Sequence, residues 1–416
     1  MPPEARLEFV DDRQPATDTD ASAFPARTQH TAGRVPDAPP TGPSRPPGAP
    51  LSGLADQPPR RRSAVAIVLV VFAALLVLVA AGTGAWYLLG RESGAGTTAS
   101  AGVEQSDSSS DSSSPTGASD APQSVSRTLT SPVGASPWAV ALDPSAATAY
   151  VTNSDNGTVS VVDTKTGVTR ASVPVGSKPA GVAYSTQNDA VYVSDANGRS
   201  VTVIDAQSNA IEAVVAVGNG PYAIAADDAT NAVFVSNFDE GTVSVIDGRT
   251  NAVTATVRVG AKPYGIASEP NSGSIYVTNA GDRSVSVIDA ARRTVVATIP
   301  VGAEPWGVAI DPAMERAYVT NHADNTLSVI DTVSRSVVTT VPAGVSPVGV
   351  AVDSSSSTVF VADHGSNTVT VLNGRSNSIE SSIVVGTNPH GIAVDSDGEI
   401  LFVTNFKDAT LSAIGF

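Results

Sequence analysis

Past residue 122 the chain is a succession of short runs in which β-branched and aromatic residues alternate with polar ones, each run closed by Gly, Pro, Asn, Asp or Ser. One stretch shows the pattern. GVAI (307–310) is followed by the turn DPAMER, then AYVTN (317–321), the turn HAD, NTLSVID (325–331), the turn TVSRS, and VVTTV (337–341) before PAG. Alternation with period two, broken by turn-forming residues, predicts four consecutive antiparallel strands joined by hairpins. The stretch recurs every 42 residues without insertion or deletion. Glycines stand at 134, 176, 218, 260, 302, 344 and 386, with a proline three residues after each. Four strands in a unit of this length, repeated, are the sequence signature of a β-propeller blade.

Blade number and closure follow from the same register. Residues 123–416 hold seven repeats of 42, so the expected fold is an all-β, seven-bladed propeller of four-stranded antiparallel blades. The last repeat stops at TLSAIGF, after its third strand. SVSRTLTSPVG (124–134) aligns with the fourth-strand segments elsewhere, so the N-terminal strand is expected to complete the last blade and close the ring. The position two after each repeated proline is Gly or Ala: Ala139, Gly181, Ala223, Gly265, Gly307, Gly349 and Gly391. Packing near the propeller axis leaves room for little else on the innermost strand.

Upstream the pattern changes. Ser63 to Gly90 carries no charged residue, longer than the ~20 apolar residues a membrane helix needs. Arg60, Arg61 and Arg62 precede it, whereas Arg91 and Glu92 nearly cancel after it. The positive-inside rule then predicts an uncleaved signal-anchor at 63–90, a single-pass protein of the plasma membrane with the N-terminus cytoplasmic and the repeats extracellular. Residues 1–62 contain 13 prolines and balanced charge, and read as a disordered Pro-rich cytoplasmic tail. Residues 91–122 contain ten serines and read as a flexible Ser/Gly-rich linker.

Charge and cysteine content narrow the partners. Residues 123–416 carry 27 acidic and 15 basic residues, a net −12 that disfavours nucleic acid, whose phosphates need clustered Lys and Arg. The chain has no cysteine, which removes disulfides, thiolate metal sites and thiol nucleophiles.

With the repeat laid out, YVTN…TVSVID together with VGxxPxGVA resembles the YVTN family of β-propeller repeats, known from surface-layer and other cell-surface proteins. The motif recurs at Tyr150–Asn153, Tyr192–Asp195, Phe234–Asn237, Tyr276–Asn279, Tyr318–Asn321, Phe360–Asp363 and Phe402–Asn405, covering 123–416. The resemblance implies the fold. Members of such a family serve as scaffolds, binding modules and occasionally parts of enzymes, so function has to come from particular residues.

Those residues lie in the loops. The loop entering each first strand and the turn between second and third strands open on one face. The residue after the repeated proline is Trp138, Ala180, Tyr222, Tyr264, Trp306, Val348 or His390. The aromatic and imidazole members suit either contact with a ligand at the channel mouth or a plug for the funnel. His322 and His364 follow the Asn or Asp of their motifs on the same face. The expected ligand-binding set is therefore Trp138, Tyr222, Tyr264, Trp306, His390, His322 and His364. No catalytic residue, cofactor or metal is assigned, because equivalent positions of diverging blades lie farther apart than the ~4 Å between ligands that share one zinc. The Asp ending the third strand (Asp163, Asp205, Asp247, Asp289, Asp331) falls on the opposite face and reads as a turn cap.

The expected function is a membrane-anchored extracellular binding module or scaffold, taking a protein, glycan or cell-wall ligand on its loop-bearing face. One alternative is a propeller lyase or lactone hydrolase with its site around His390. Another is a subunit covering a redox or transport partner. The sequence does not choose an oligomeric state.

Overall fold

The computed structural model describes residues 128–416. The tail at 1–62, the signal-anchor at 63–90 and the linker at 91–122 lie outside the described residues. Within them no helix is long and apolar enough to cross a membrane, and every element is a β-strand.

Twenty-eight strands form seven four-stranded antiparallel sheets. Blades 1 to 6 are continuous in sequence, at 137–174, 179–216, 221–258, 263–300, 305–342 and 347–384. Blade 7 takes three strands from 389–415 and its outer strand from the N-terminus. Thr128–Pro132 pairs antiparallel with Thr410–Gly415, with Thr130 opposite Ser412. The ring is therefore closed by the expected latch, and its seam lies between the two ends of the described chain.

The innermost strand is longer than alternation alone suggests. In blade 5 it runs Pro305–Asp311 rather than 307–310, with a register shift between Pro305 and Val308. The same bulge follows the proline in all seven blades. Proline has no N–H to give the ladder and so, on an inner strand, sits at the strand start, and a bulge re-aims the residues beside it. This is what turns the residue after each proline into the channel mouth.

Each letter of the motif has a packing role. The first-position Tyr is fully buried and reaches the next blade: Tyr150, Tyr192, Tyr276 and Tyr318 donate to carbonyls of Ala206, Gly248, Thr332 and Gly374 at 3.3–3.4 Å. The third-position hydroxyl bridges adjacent innermost strands. Thr278 Oγ1 accepts the Gly265 N–H of its own blade at 2.8 Å and donates to the Trp306 carbonyl of the next at 2.7 Å. Equivalent bonds run from Thr152, Ser194, Ser236 and Thr320 to the following blade, and from Thr404 across the seam to the Trp138 carbonyl at 3.3 Å. These strands approach so closely that a Cβ on Gly265 would meet the Trp306 carbonyl oxygen at 2.2 Å, and one on Gly349 the His390 oxygen at 2.4 Å.

Blade 6 breaks the hydroxyl ring, because Ala362 occupies the third position and is completely buried. Ala362→Ser restores a bridge between the Gly349 N–H and the His390 carbonyl. A net gain of about 1 kcal/mol is expected, read as a higher urea midpoint with an unchanged slope. An unchanged or lower midpoint contradicts the bridging role.

Candidate functional site

The mouth is built from two loops per blade, and the Asn of the motif fixes both. Asn321 Oδ1 accepts the Gly302 N–H at 3.1 Å in the loop before the first strand. Its Nδ2 donates to Thr326 and Ser328 hydroxyls at 2.9 Å beyond the turn. Asn279 and Asn405 repeat this geometry. Blades 2 and 6 substitute Asp195 and Asp363. Burial pushes the Asp363 carboxyl up, although Gly344 N–H and the Thr370 hydroxyl donate to it.

The residues after the prolines meet as a closed loop of rings. Centroids lie 6.4 Å apart for Trp138–Tyr222, 5.1 Å for Tyr222–Tyr264, 4.7 Å for Tyr264–Trp306, 6.3 Å for Trp306–His390 and 3.8 Å for His390–Trp138. Ala180 and Val348 hold the two remaining positions. His322 stacks on Trp306 at 4.2 Å and 9°, and His364 meets His390 edge-on at 6.0 Å. All seven side chains singled out from the sequence thus share one cluster. Trp306 lies between Tyr264 and His322, with a ring stacked on each side. Five of them, Trp138, Tyr222, Tyr264, Trp306 and His390, line a channel cavity of about 170 Å³ with the glycines, valines and isoleucines of the innermost strands.

Two further aromatics join it. Phe238 packs against Tyr222 and Tyr264 at 5.3 and 6.2 Å, and Phe406 against Trp138 at 5.8 Å. Both occupy the position of His322 in their own blades, the signal by which the sequence could have found them. Lys262 and Lys407 extend over their rings at 5.7 and 5.3 Å.

The histidines are neutral and backbone-anchored. His390, 6 % exposed, places Nδ1 3.0 Å from the Trp138 carbonyl. A carbonyl only accepts, so Nδ1 carries the proton and Nε2 presents a lone pair without a partner. Burial, reinforced by His364, drives its pKa down to about 3 against the pull of that carbonyl. His322 and His364 are also lowered by burial, each hydrogen-bonded to a proline carbonyl of the next blade, Pro347 and Pro389, with Nδ1 unpartnered. Ser154 makes the same contact with the Pro179 carbonyl at 2.7 Å, so this is a repeat position first and a histidine second. Burial also raises the Tyr264 hydroxyl well above its ordinary range, and that oxygen has no partner.

Among the described residues no group of three His, Cys, Asp or Glu side chains is placed to hold a metal ion. On the opposite face, Asp163 accepts the N–H groups of Lys165 and Thr166 at 2.9 and 2.8 Å. These bonds, with Arg170, hold its pKa down to about 2. Asp247 and Asp331 cap their turns alike.

Residues 125–317 match the family described as YNCE-like β-propeller. Among solved structures the chain is similar to a chain of the Kuenenia stuttgartiensis hydrazine synthase. The TM-score is 0.62 at 18 % identity, over 71 % of this chain and 98 % of that one. At that identity the likeness is one of fold. Curated proteins gave no match.

Proposed function

We propose that this chain, a seven-bladed propeller of YVTN-type repeats, works as a protein-interaction module whose contact patch is the aromatic channel mouth. The observation that carries the reading is the self-packed ring cluster. Half-buried Trp and Tyr side chains, fixed by their neighbours and rimmed by charged loops, have the make-up of an interface hot spot: large area at low ordering cost. A sugar would need a bare aromatic face, and Trp306 already has Tyr264 on one side and His322 on the other. A protein partner can use ring edges and the charged rim instead. The uncharged run 63–90 behind Arg60–Arg62 supports presentation of this face outside the plasma membrane from a single-pass anchor.

Nothing at the mouth favours hydrolysis or elimination. His390, the residue on which a lyase or lactone hydrolase would depend, hydrogen-bonds a carbonyl rather than an orienting carboxylate. Held near 3, it is a poor base at neutral pH.

The test is site-specific photo-cross-linking of the full chain in its own cells, with a photoreactive phenylalanine at Tyr222 and, as control, at Val168 on the exposed rim of the ring. A discrete adduct at 222 and none at 168 is expected. Equal adducts at both sites, or at neither, contradict the mouth as docking face. Quenching of Trp138 and Trp306 fluorescence by muropeptides or oligosaccharides points to the glycan reading instead.

A further inference from the structure

On the face opposite the mouth, blades 1 and 2 part to leave a cavity of about 400 Å³, within the ~300–1,000 Å³ of small-molecule sites. The buried Tyr150 lies beneath it, and Ala146, Val161 and Ala206 supply apolar wall. Three charged side chains line it: Asp143 and Arg170 from blade 1 and Asp189 from blade 2. Arg170 is already matched. It pairs with Asp163, which is not part of the lining, and donates to the Thr148 hydroxyl at 3.2 Å. The two carboxylates have only neutral donors. Asp189 accepts the Tyr184 hydroxyl at 3.0 Å and the Gln207 amide at 2.7 Å. Asp143 Oδ1 accepts the N–H groups of Ser145 and Ala146 at 3.0 and 3.2 Å and the Ser145 hydroxyl at 2.6 Å. Burial raises the pKa of the Tyr150 and Tyr184 hydroxyls, and Asp143 and Asp189 both add to each rise, so the carboxylates converge on one pair of rings.

The second oxygen of Asp143 is what the cavity leaves open. The residue is 3 % exposed, yet Oδ2 accepts no hydrogen bond. In blades 3 and 6 both oxygens of the corresponding Asp227 and Asp353 receive hydroxyls. In blade 5 Asp311 Oδ2 is also unpartnered, but it is sealed within the protein. Asp143 Oδ2 is not sealed, and the opening beside it is this cavity. A buried carboxylate oxygen without a donor is costly. An anion would meet two carboxylates, and a hydroxyl would bring a donor without charge. A divalent metal finds no third carboxylate or imidazole among the described residues. An ammonium brings both donors and charge. We infer that the cleft between blades 1 and 2 binds a small primary ammonium on an aliphatic stem, its N–H groups given to Asp143 Oδ2 and Asp189 and its stem laid on the apolar wall. The site is separate from the mouth and independent of what docks there.

The test is calorimetric titration of the full chain with butylammonium, n-butanol and calcium in turn. Butylammonium is expected to bind about tenfold more tightly than the alcohol, the weight of one hydrogen bond to a charged group, and to weaken as salt is added. Asp143→Asn, which keeps an Oδ1 for the turn and removes the charge, is expected to lower butylammonium affinity about tenfold and leave that for butanol unchanged. Asp189→Asn is expected to act in the same direction from the other wall. Asp395→Asn, at the corresponding position of blade 7 and outside the cavity, is expected to change neither. Equal binding of ammonium and alcohol, binding of neither, an ammonium affinity untouched by both wall substitutions, or calcium held more tightly than butylammonium overturns the inference.

Discussion

Acidification from pH 7 to 4.5 is expected to cost the protein about 2–3 kcal/mol of stability through His390 alone, and His390→Tyr is expected to remove that part of the loss. In the folded ring this imidazole is neutral down to about pH 3, because charging it would place a cation among Trp138, Trp306 and His364 with no carboxylate in contact. In the unfolded chain it takes up a proton below its ordinary 6.5. Between those values the unfolded state binds more protons, so stability is full above about pH 6.5 and falls as pH drops toward the folded value. His322 and His364 are lowered too and add to the loss in the same window. Two other groups behave differently. Asp163 is depressed from 3.8 to about 2, so its contribution is lost only below that window. Asp363 is raised, so its protonation favours the folded state as pH falls. The difference between wild type and variant therefore isolates His390. Tyrosine is the residue blades 3 and 4 use there, and His390→Val is a second variant in case the larger ring does not fit. Urea midpoints at pH 7, 6, 5 and 4.5 are expected to converge. Profiles that stay parallel place the acid sensitivity elsewhere.

The second large effect concerns the seam. The chain has no cysteine, so Thr130→Cys with Ser412→Cys creates a single possible disulfide. The two residues stand opposite one another in the ladder of the latch, and the ~4.5–5.5 Å between Cα atoms of directly opposed residues falls within the span of a disulfide. It would close a loop spanning nearly all of the described chain. On the chain-entropy account this stabilises by about 5–6 kcal/mol relative to the reduced variant. Oxidised and reduced forms compared by urea denaturation give the value. No gain on oxidation means that the latch is already separated in the state that unfolds.

Both predictions depend on features the sequence makes legible to different degrees. The period of 42, the four strands and the borrowed outer strand are readable because they are local or depend only on counting. Gly265, Gly307 and Gly349 are legible as crowded positions, since every repeat holds Gly or Ala there. The partners of the motif hydroxyl are not. Thr278 bonds backbone atoms 13 residues back and 28 ahead, and a carbonyl leaves no mark in a sequence. The bulge after Pro305 is hidden for a related reason, because the alternation legible in the sequence begins only at Gly307. His390 shows the limit most clearly. It is equivalent by register to the half-buried Tyr222 and Tyr264, yet it is buried, because the closing ring presses it onto Trp138. Conversely, Phe238 and Phe406 were visible as residues and invisible as members of the cluster until Tyr222 and Trp138 were placed beside them.

The mouth exists in this form only if the ring closes in this register, since His390 and Trp138 lie 252 residues apart and meet across the seam. The most direct measurement is mass spectrometry of the Thr130→Cys, Ser412→Cys variant oxidised at low concentration, beside the slipped pair Thr128→Cys, Ser412→Cys. A monomer with the 130–412 linkage, formed much faster than the slipped one, is the predicted result. Linkage only between chains, or equal linkage of the two pairs, would contradict the closed ring.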